Sequence, residues 1–275
     1  MTGAPSPIPA DAASRGLAVR SLTAGYRRRP VIEGLILPQV EAGHVTALVG
    51  PNAAGKTTLL RALAGLLPAK GSVTLDGREL LGLPAARHAA FVTYMPQALP
   101  QRVALTVLEA TISALRASPV PGIEGDAAAA RRRAAATLDR LGIGDLALAS
   151  LDELSGGQRQ LASLAQALAR EPSVLLLDEP TSALDLHHQF GVMTLLREVA
   201  RERGIVAVAV LHDLSLAARH ADRVMVMARG ALAAAGRPEE ALTPAVLAEI
   251  YHVAARVEPC TRAHPQIIVD GLTGG

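Results

Sequence analysis

Cysteine is nearly absent: Cys260 stands alone among 275 residues. A single thiol excludes an intramolecular disulfide and fits a reducing compartment. Tryptophan is missing, and the aromatics are Tyr26, Phe91, Tyr94, Phe190 and Tyr251. Lysine is as scarce, with Lys56 and Lys70 alone among 27 basic residues. Nor is there an excess of either charge, because 27 basic and 25 acidic side chains leave +2. That balance argues against a nucleic-acid binder, which carries a basic face. No apolar run approaches the ~18 residues of a membrane span, and the longest apolar strand, 205–211, has the length of a buried strand. Residues 1–15 are rich in Ala, Pro and Ser, lack the apolar stretch of a signal peptide or anchor, and are expected to form a flexible tail. No internal repeat is visible.

What the chain has in quantity is apolar sequence, 50% of it, enough for a sizeable core. The patterning predicts short strands at 17–22 and 31–37, a β-rich run at 45–49 and a helix over 57–67. Further strands are expected at 73–75 and 91–94. Between Pro96 and Pro172 the texture becomes helical. Thr106 and Glu109 form a capping box, with Leu105, Leu108, Ile112 and Leu115 on one face behind it. An Ala/Arg stretch over 126–141 follows, and its triple Arg131, Arg132, Arg133 reads as a solvated helix face. A third helix starts near Ser155, carries Leu161, Leu164 and Leu168 on one stripe, and stops at Pro172. Strand and helix then alternate: strands at 174–177, 205–211 and 224–227, and a helix over 186–201. Continuous apolar strands separated by helices indicate a parallel sheet covered on both faces, so the helical stretch is an insertion in an α/β core.

Three motifs carry chemistry. Gly50-Pro51-Asn52-Ala53-Ala54-Gly55-Lys56-Thr57-Thr58 matches G-x-x-x-x-G-K-[ST] between a strand and a helix, the setting of a phosphate loop. Backbone N–H groups at the helix start favour phosphate oxygens, Lys56 can reach the β/γ-phosphates, and the Thr57 hydroxyl can bind Mg²⁺. A plain strand–helix turn would not explain why an arginine-using chain keeps one of its two lysines here. The second motif is an apolar strand ending in Asp178-Glu179-Pro180. Asp178 can hold Mg²⁺ through water, and Glu179 can polarise the attacking water as general base. The third is Leu154-Ser155-Gly156-Gly157-Gln158-Arg159-Gln160. Ser155 and Gln158 make a capping box, but a cap needs no consecutive glycines; Gly156 and Gly157 let backbone approach an anion closely.

In this order the three motifs resemble the ATP-binding cassette (ABC) ATPases, over nearly all of residues 17–257. The resemblance implies a P-loop NTPase of ABC type: a mostly parallel sheet core with N-terminal antiparallel strands, over 16–97 and 173–275, and a helical signature subdomain over 98–172. ATP and Mg²⁺ are the implied cofactors. It places Tyr26 on the adenine and makes Gln97 a Q-loop glutamine that contacts Mg²⁺ or water and relays to a membrane partner. Ser182 to Asp185 become a D-loop, and His212 becomes the switch histidine sensing the γ-phosphate. Two chains are expected head to tail, with Ser155, Gly156, Gly157 and Gln158 of one closing on ATP held by the other. Ala53 and Ala54 depart from the glycine or serine usual there, and Leu161 replaces a frequent arginine.

A lone cassette without a membrane segment resembles the importer arrangement. Residues 185–189, 211–223 and 236–244 resemble the ATPases that serve iron–siderophore, haem and cobalamin import. The implied partners are a second copy, an integral-membrane permease and, indirectly, a substrate-binding protein outside the membrane, with the chain at the cytoplasmic face of a bacterial inner membrane. His187 and His188 are not read as iron ligands, because the cargo need not touch this subunit. The alternative is a soluble ABC ATPase of cofactor or complex assembly. The segment 97–154 is too short for the coiled coil of repair and chromosome forms.

Overall fold

Burial with a period near two shapes the N-terminal strands. β1 (Gly16–Tyr26) buries Leu17, Val19, Leu22 and Ala24, and β2 (Arg29–Glu41) buries Ile32, Leu35, Leu37 and Val40. The step of three between Val19 and Leu22 is a bulge at Ser21, whose φ is 49°. The computed structural model describes residues 15–26, 29–97, 104–117, 126–262 and 264–273. The tail expected over 1–15 therefore lies outside the described residues except for Arg15.

The chain continues with β3 (Val45–Val49), α1 (Lys56–Leu63), β4 (Ala69–Leu75), β5 (Arg78–Glu79), α2 (Ala85–Ala89) and β6 (Val92–Met95). Three helices follow: α3 (Val107–Arg116), α4 (Ala127–Arg140) and α5 (Gly156–Ala169). Alternation resumes with β7 (Val174–Asp178), α6 (Leu186–Arg203), β8 (Val206–Val210), α7 (Leu214–His220) and β9 (Arg223–Ala228). The chain closes with β10 (Ala231–Gly236), α8 (Pro238–Ala241), α9 (Pro244–Tyr251), β11 (Val253–Pro259) and β12 (Pro265–Leu272).

One sheet has the order β10-β9-β3-β8-β7-β6, parallel throughout except for the β9–β10 pair. A second, antiparallel sheet has the order β2-β1-β4-β5. Strands β3, β7 and β8 are buried along their whole length, which is why they read as unbroken apolar runs. Alternate residues serve two cores. Val45, Ala47, Val49, Leu175 and Leu177 pack with α5, α6 and α7, whereas Leu48, Leu176, Val208 and Val210 pack with α1 and the antiparallel sheet. The parallel sheet thus separates two hydrophobic layers and delivers the ends of β3, β7 and β8 to one edge, where the site lies.

Several expectations need correction. α1 ends at Leu63 rather than reaching 67, because Gly65 takes a left-handed φ of 68°. Leu105 precedes the Thr106 cap, lies outside α3 and is partly exposed; the buried face is Val107, Ala110, Thr111 and Leu115. Arg131 and Arg132 are exposed as expected, but Arg133 forms an ion pair with Glu171. Residues 253–272, to which the apolar pattern assigns no element, form the β11–β12 ribbon, pinned by a two-point contact of Arg256 with Asp270 at 2.9 and 3.1 Å. Among the described residues no helix is long and apolar enough to cross a membrane.

The end of α7 carries a pH-dependent weak point. His220 is buried, its Nε2 lacks a hydrogen-bond partner, and Phe190 meets it edge-on at 4.8 Å. Burial, aided by Arg197, Arg219 and His264, pushes its pKa down to about 4. The unfolded chain therefore takes up a proton below about pH 6.5 that the folded chain refuses. This part of the stability is complete above that pH and is lost as pH falls toward 4, by about 3 kcal/mol in all. His220→Leu is expected to flatten that segment of the denaturation profile, measured with urea from pH 7 to 4.5. An unchanged slope would refute the assignment.

Candidate functional site

The phosphate loop follows from a strand that must stop and a helix that must start with free donors. Gly50 has φ 148° and leaves no room for a side chain, since a Cβ would meet the Met227 carbonyl oxygen. Gly55 caps α1 with φ 100°, and no side chain caps the helix or places an acid in its first turn. Its first N–H groups are thus left without a capping side chain and can meet an anion. Ala53 is left-handed as well, with φ 61°. That conformation costs a non-glycine residue about 1–2 kcal/mol, and it explains why glycine is expected there. Lys56 is buried and folds back over the loop, its Nζ donating to the Gly50 carbonyl at 2.6 Å and the Pro51 carbonyl at 2.9 Å. Burial lowers its pKa, and the charges of Glu179 and Asp178 oppose that shift.

β7 delivers the carboxylates. Asp178 is 1% exposed. Its Oδ1 accepts from the Thr57 hydroxyl at 3.2 Å and its Oδ2 from the Tyr94 phenol at 2.9 Å. Burial, the largest influence, pushes Tyr94 up to about 12, so it remains a donor. The next residue turns sharply: Glu179 has φ 55°, a strained value for a side-chain-bearing residue. The turn sends its carboxylate away from that of Asp178, to His212 Nε2 at 2.5 Å and Gln97 Nε2 at 2.6 Å. The strained backbone is tied down through the Glu179 carbonyl, which accepts from Gln160 Nε2 at 2.5 Å and Ser182 Oγ at 3.2 Å. β6, β7, β8 and α5 thus converge on one glutamate.

At the start of α5 the expected capping box is complete. Ser155 Oγ accepts from the Gln158 N–H at 3.3 Å, and Gln158 Oε1 accepts from the Ser155 N–H at 2.9 Å. Ser155 and Gly156 are exposed. Among the described residues, neither Ser155 nor Gln158 hydrogen bonds to the chain's own phosphate loop. Tyr26, at the end of β1, is 43% exposed and its phenol accepts from Arg61 Nη1 at 3.1 Å. Asp185 caps α6 and also pairs with His188 at 2.8 Å, so His188 belongs to a helix start.

The family model described as ABC transporter matches residues 36–182. The chain belongs to the ABC transporter family. It is 40% identical over 268 residues to the hemin import ATP-binding protein HmuV of Streptomyces coelicolor, covering 96% of this chain and 94% of the relative. It is 38% identical to the ferric enterobactin transport ATP-binding protein FepC of Escherichia coli, over 84% of each chain. The solved dimeric structure of the ATP-binding cassette MJ0796 in a post-hydrolysis state bound to ADP and Pi aligns with a TM-score of 0.71 at 24% identity, covering 81% of this chain and 99% of that one. That likeness establishes the ABC ATPase fold, and the membership and fold expected from the motifs are borne out. As an ABC ATP-binding protein, the chain is an ATPase of the kind that powers transport.

The ABC site contains residues that linear motifs did not single out. Arg61 stands one helical turn after Thr57 on α1, hydrogen bonds Tyr26 and lies within interaction range of Tyr94. Gln160 is a buried glutamine on the stripe side of α5 that joins this helix to Glu179 and, through the Ala183 N–H at 2.9 Å, to the turn of residues 182–185. Tyr251, at the end of α9, lies close to the Gly50 backbone, and burial raises its pKa. The scarcity of aromatics was the available signal for Tyr94 and Tyr251. Oxygens of Thr57 and Asp178 stand 3.2 Å apart beside the anion site, and a hard-oxygen pair of this kind suits Mg²⁺. Gln97 instead reaches Glu179.

Proposed function

We propose that the chain is the ATP-hydrolysing subunit of an importer that takes up an iron chelate, siderophore or haem, or cobalamin, through a separate permease. The hydrolytic half of this reading is carried by Glu179, a strained carboxylate held between His212 and Gln97 beside the Lys56 loop. The importer half rests on 40% identity to a hemin import ATP-binding protein over 96% of the chain.

In this reading Gly50 to Thr58 wrap the phosphates, with Lys56 leaving its two carbonyl partners for the β/γ-phosphates. Tyr26 offers its exposed ring to the adenine. Thr57 and Asp178, with Gln97 swung over from Glu179, would hold Mg²⁺, which when bound neutralises charge on the phosphates. Glu179 takes a proton from the attacking water, and His212 passes from Glu179 to the γ-phosphate. The helical stretch 98–172 acts as a subdomain against the 16–97 and 173–275 core, closing Ser155, Gly156, Gly157 and Gln158 onto the ATP of a second copy. Closure excludes water and assembles the groups. A substrate-binding protein acts further upstream, without contact.

The permease is assigned to an apolar cavity of about 540 Å³ lined by Leu66, Met95, Leu105, Ala110 and Ala114, next to Gln97 on the chain. Ala114→Arg is expected to leave basal ATP hydrolysis intact and to abolish its stimulation by permease in vesicles, an effect of at least about tenfold at a buried anchor. Affinity purification from membranes of the producing organism should recover a polytopic protein. Recovery of soluble partners alone would overturn the transport reading.

A further inference from the structure

Thr57 and Arg61 lie four residues apart on α1, so both side chains leave the same helix face. From that face Thr57 reaches Asp178 Oδ1 at 3.2 Å, and Arg61 Nη1 donates to the Tyr26 phenol at 3.1 Å. The same guanidinium lies within interaction range of Tyr94, and Tyr94 donates to Asp178 Oδ2 at 2.9 Å. A path of side-chain contacts therefore runs Tyr26–Arg61–Tyr94–Asp178, hydrogen-bonded at both ends. It begins at an exposed ring and ends at a carboxylate that is 1% exposed.

The donors and acceptors along the path match. A guanidinium can only donate, so a phenol oxygen facing it can only accept, and each phenol keeps its own O–H to give away. Tyr94 gives its O–H to Asp178. With Thr57 on one oxygen and Tyr94 on the other, the Asp178 carboxylate has one orientation. Without the Tyr94 donor, one of its buried oxygens would lose a partner.

We propose that Arg61 and Tyr94 are positioning residues that couple a nucleobase on Tyr26 to the orientation of Asp178, and so to the grip on a divalent cation. The proposal rests on the reading of Tyr26 as the base platform and Asp178 as a metal-bearing carboxylate. A base stacked on Tyr26 restrains the phenol, the phenol restrains Arg61, and Arg61 restrains Tyr94. The coupling is reciprocal, because a cation that fixes Asp178 also fixes the platform. A ribose triphosphate that lacks a base leaves the first link loose.

The test measures cation binding, not turnover. Mn²⁺ binding is followed by electron paramagnetic resonance with the β,γ-imido analogue of ATP and with ribose 5′-(β,γ-imido)triphosphate, which has the same phosphates and no base. The wild-type chain is expected to bind Mn²⁺ about fivefold or more tightly with the base present. Arg61→Gln and Tyr94→Phe are each expected to bring that ratio to about one, with Tyr94→Phe weakening both complexes. A ratio of one in the wild type, or an unchanged ratio in Arg61→Gln, overturns the proposal. Asp178→Asn separates the two levels. If Asp178→Asn keeps wild-type Mn²⁺ affinity, the underlying reading of Asp178 fails and the coupling with it. If Asp178→Asn loses Mn²⁺ while Arg61→Gln keeps the ratio, the coupling alone fails. Should Tyr94→Phe not fold, the half-exposed Arg61→Gln decides the matter.

Discussion

Glu179→Gln should lower ATP turnover by about two to four orders of magnitude, the range for loss of a general base, while an ATP-bound dimer accumulates. The substitution keeps volume and reach, so the local structure has no reason to change. An amide oxygen can still accept from Gln97, and the amide N–H₂ can donate to a neutral His212, whose other ring nitrogen then carries the proton. What disappears is basicity. The backbone argues for a functional carboxylate here: Glu179 occupies φ 55°, a strained position, and its carbonyl is held by both Gln160 and Ser182. Strain that is tied down twice fixes where the carboxylate points. Steady-state phosphate release and size-exclusion chromatography with ATP measure the two effects. Turnover at the wild-type rate would falsify Glu179 as the base.

The legibility of this fold divides along physical lines. Strands β3, β7 and β8 could be read because both faces are buried, which leaves an unbroken apolar run. The β11–β12 ribbon could not, because an exposed two-stranded ribbon held by Arg256 and Asp270 needs no apolar run. α1 was overextended because Gly65 stops it against a pattern of continuing leucines. Within the site, the phosphate loop, Asp178-Glu179 and the signature are contiguous in sequence, and their chemistry is written in adjacent residue types. The links between them span long separations. Gln160 touches Glu179 across 19 residues and Tyr94 touches Asp178 across 84. Neither pair has a spacing rule, because β6, β7 and α5 meet only through the sheet order.

Ser155→Arg should abolish hydrolysis in the homodimer, by at least about 10²-fold as for a lost oxyanion donor, and the damage should lie in the partner's site. Ser155 Oγ accepts from the Gln158 N–H, which closes the cap but leaves the hydroxyl proton unassigned. That proton, the exposed Gly156 N–H and the N-terminus of α5 form a donor set that, among the described residues, makes no hydrogen bond to the chain's own phosphate loop. Losing the cap alone costs about 1 kcal/mol, so Ser155→Ala controls for stability. A mixed dimer decides the geometry. Lys56→Ala disables the phosphate loop of one chain and leaves its Ser155 intact. Paired with Ser155→Arg, it regenerates one complete site, made of the Ser155→Arg chain's loop and the Lys56→Ala chain's signature. The other site is doubly disabled. Activity should therefore return in the mixture, above that of either parent homodimer. If each substitution damaged only its own chain, no arrangement of the two would contain a whole site, and the mixture would stay as inactive as its parents. Recovery on mixing thus requires that Ser155 act across the dimer.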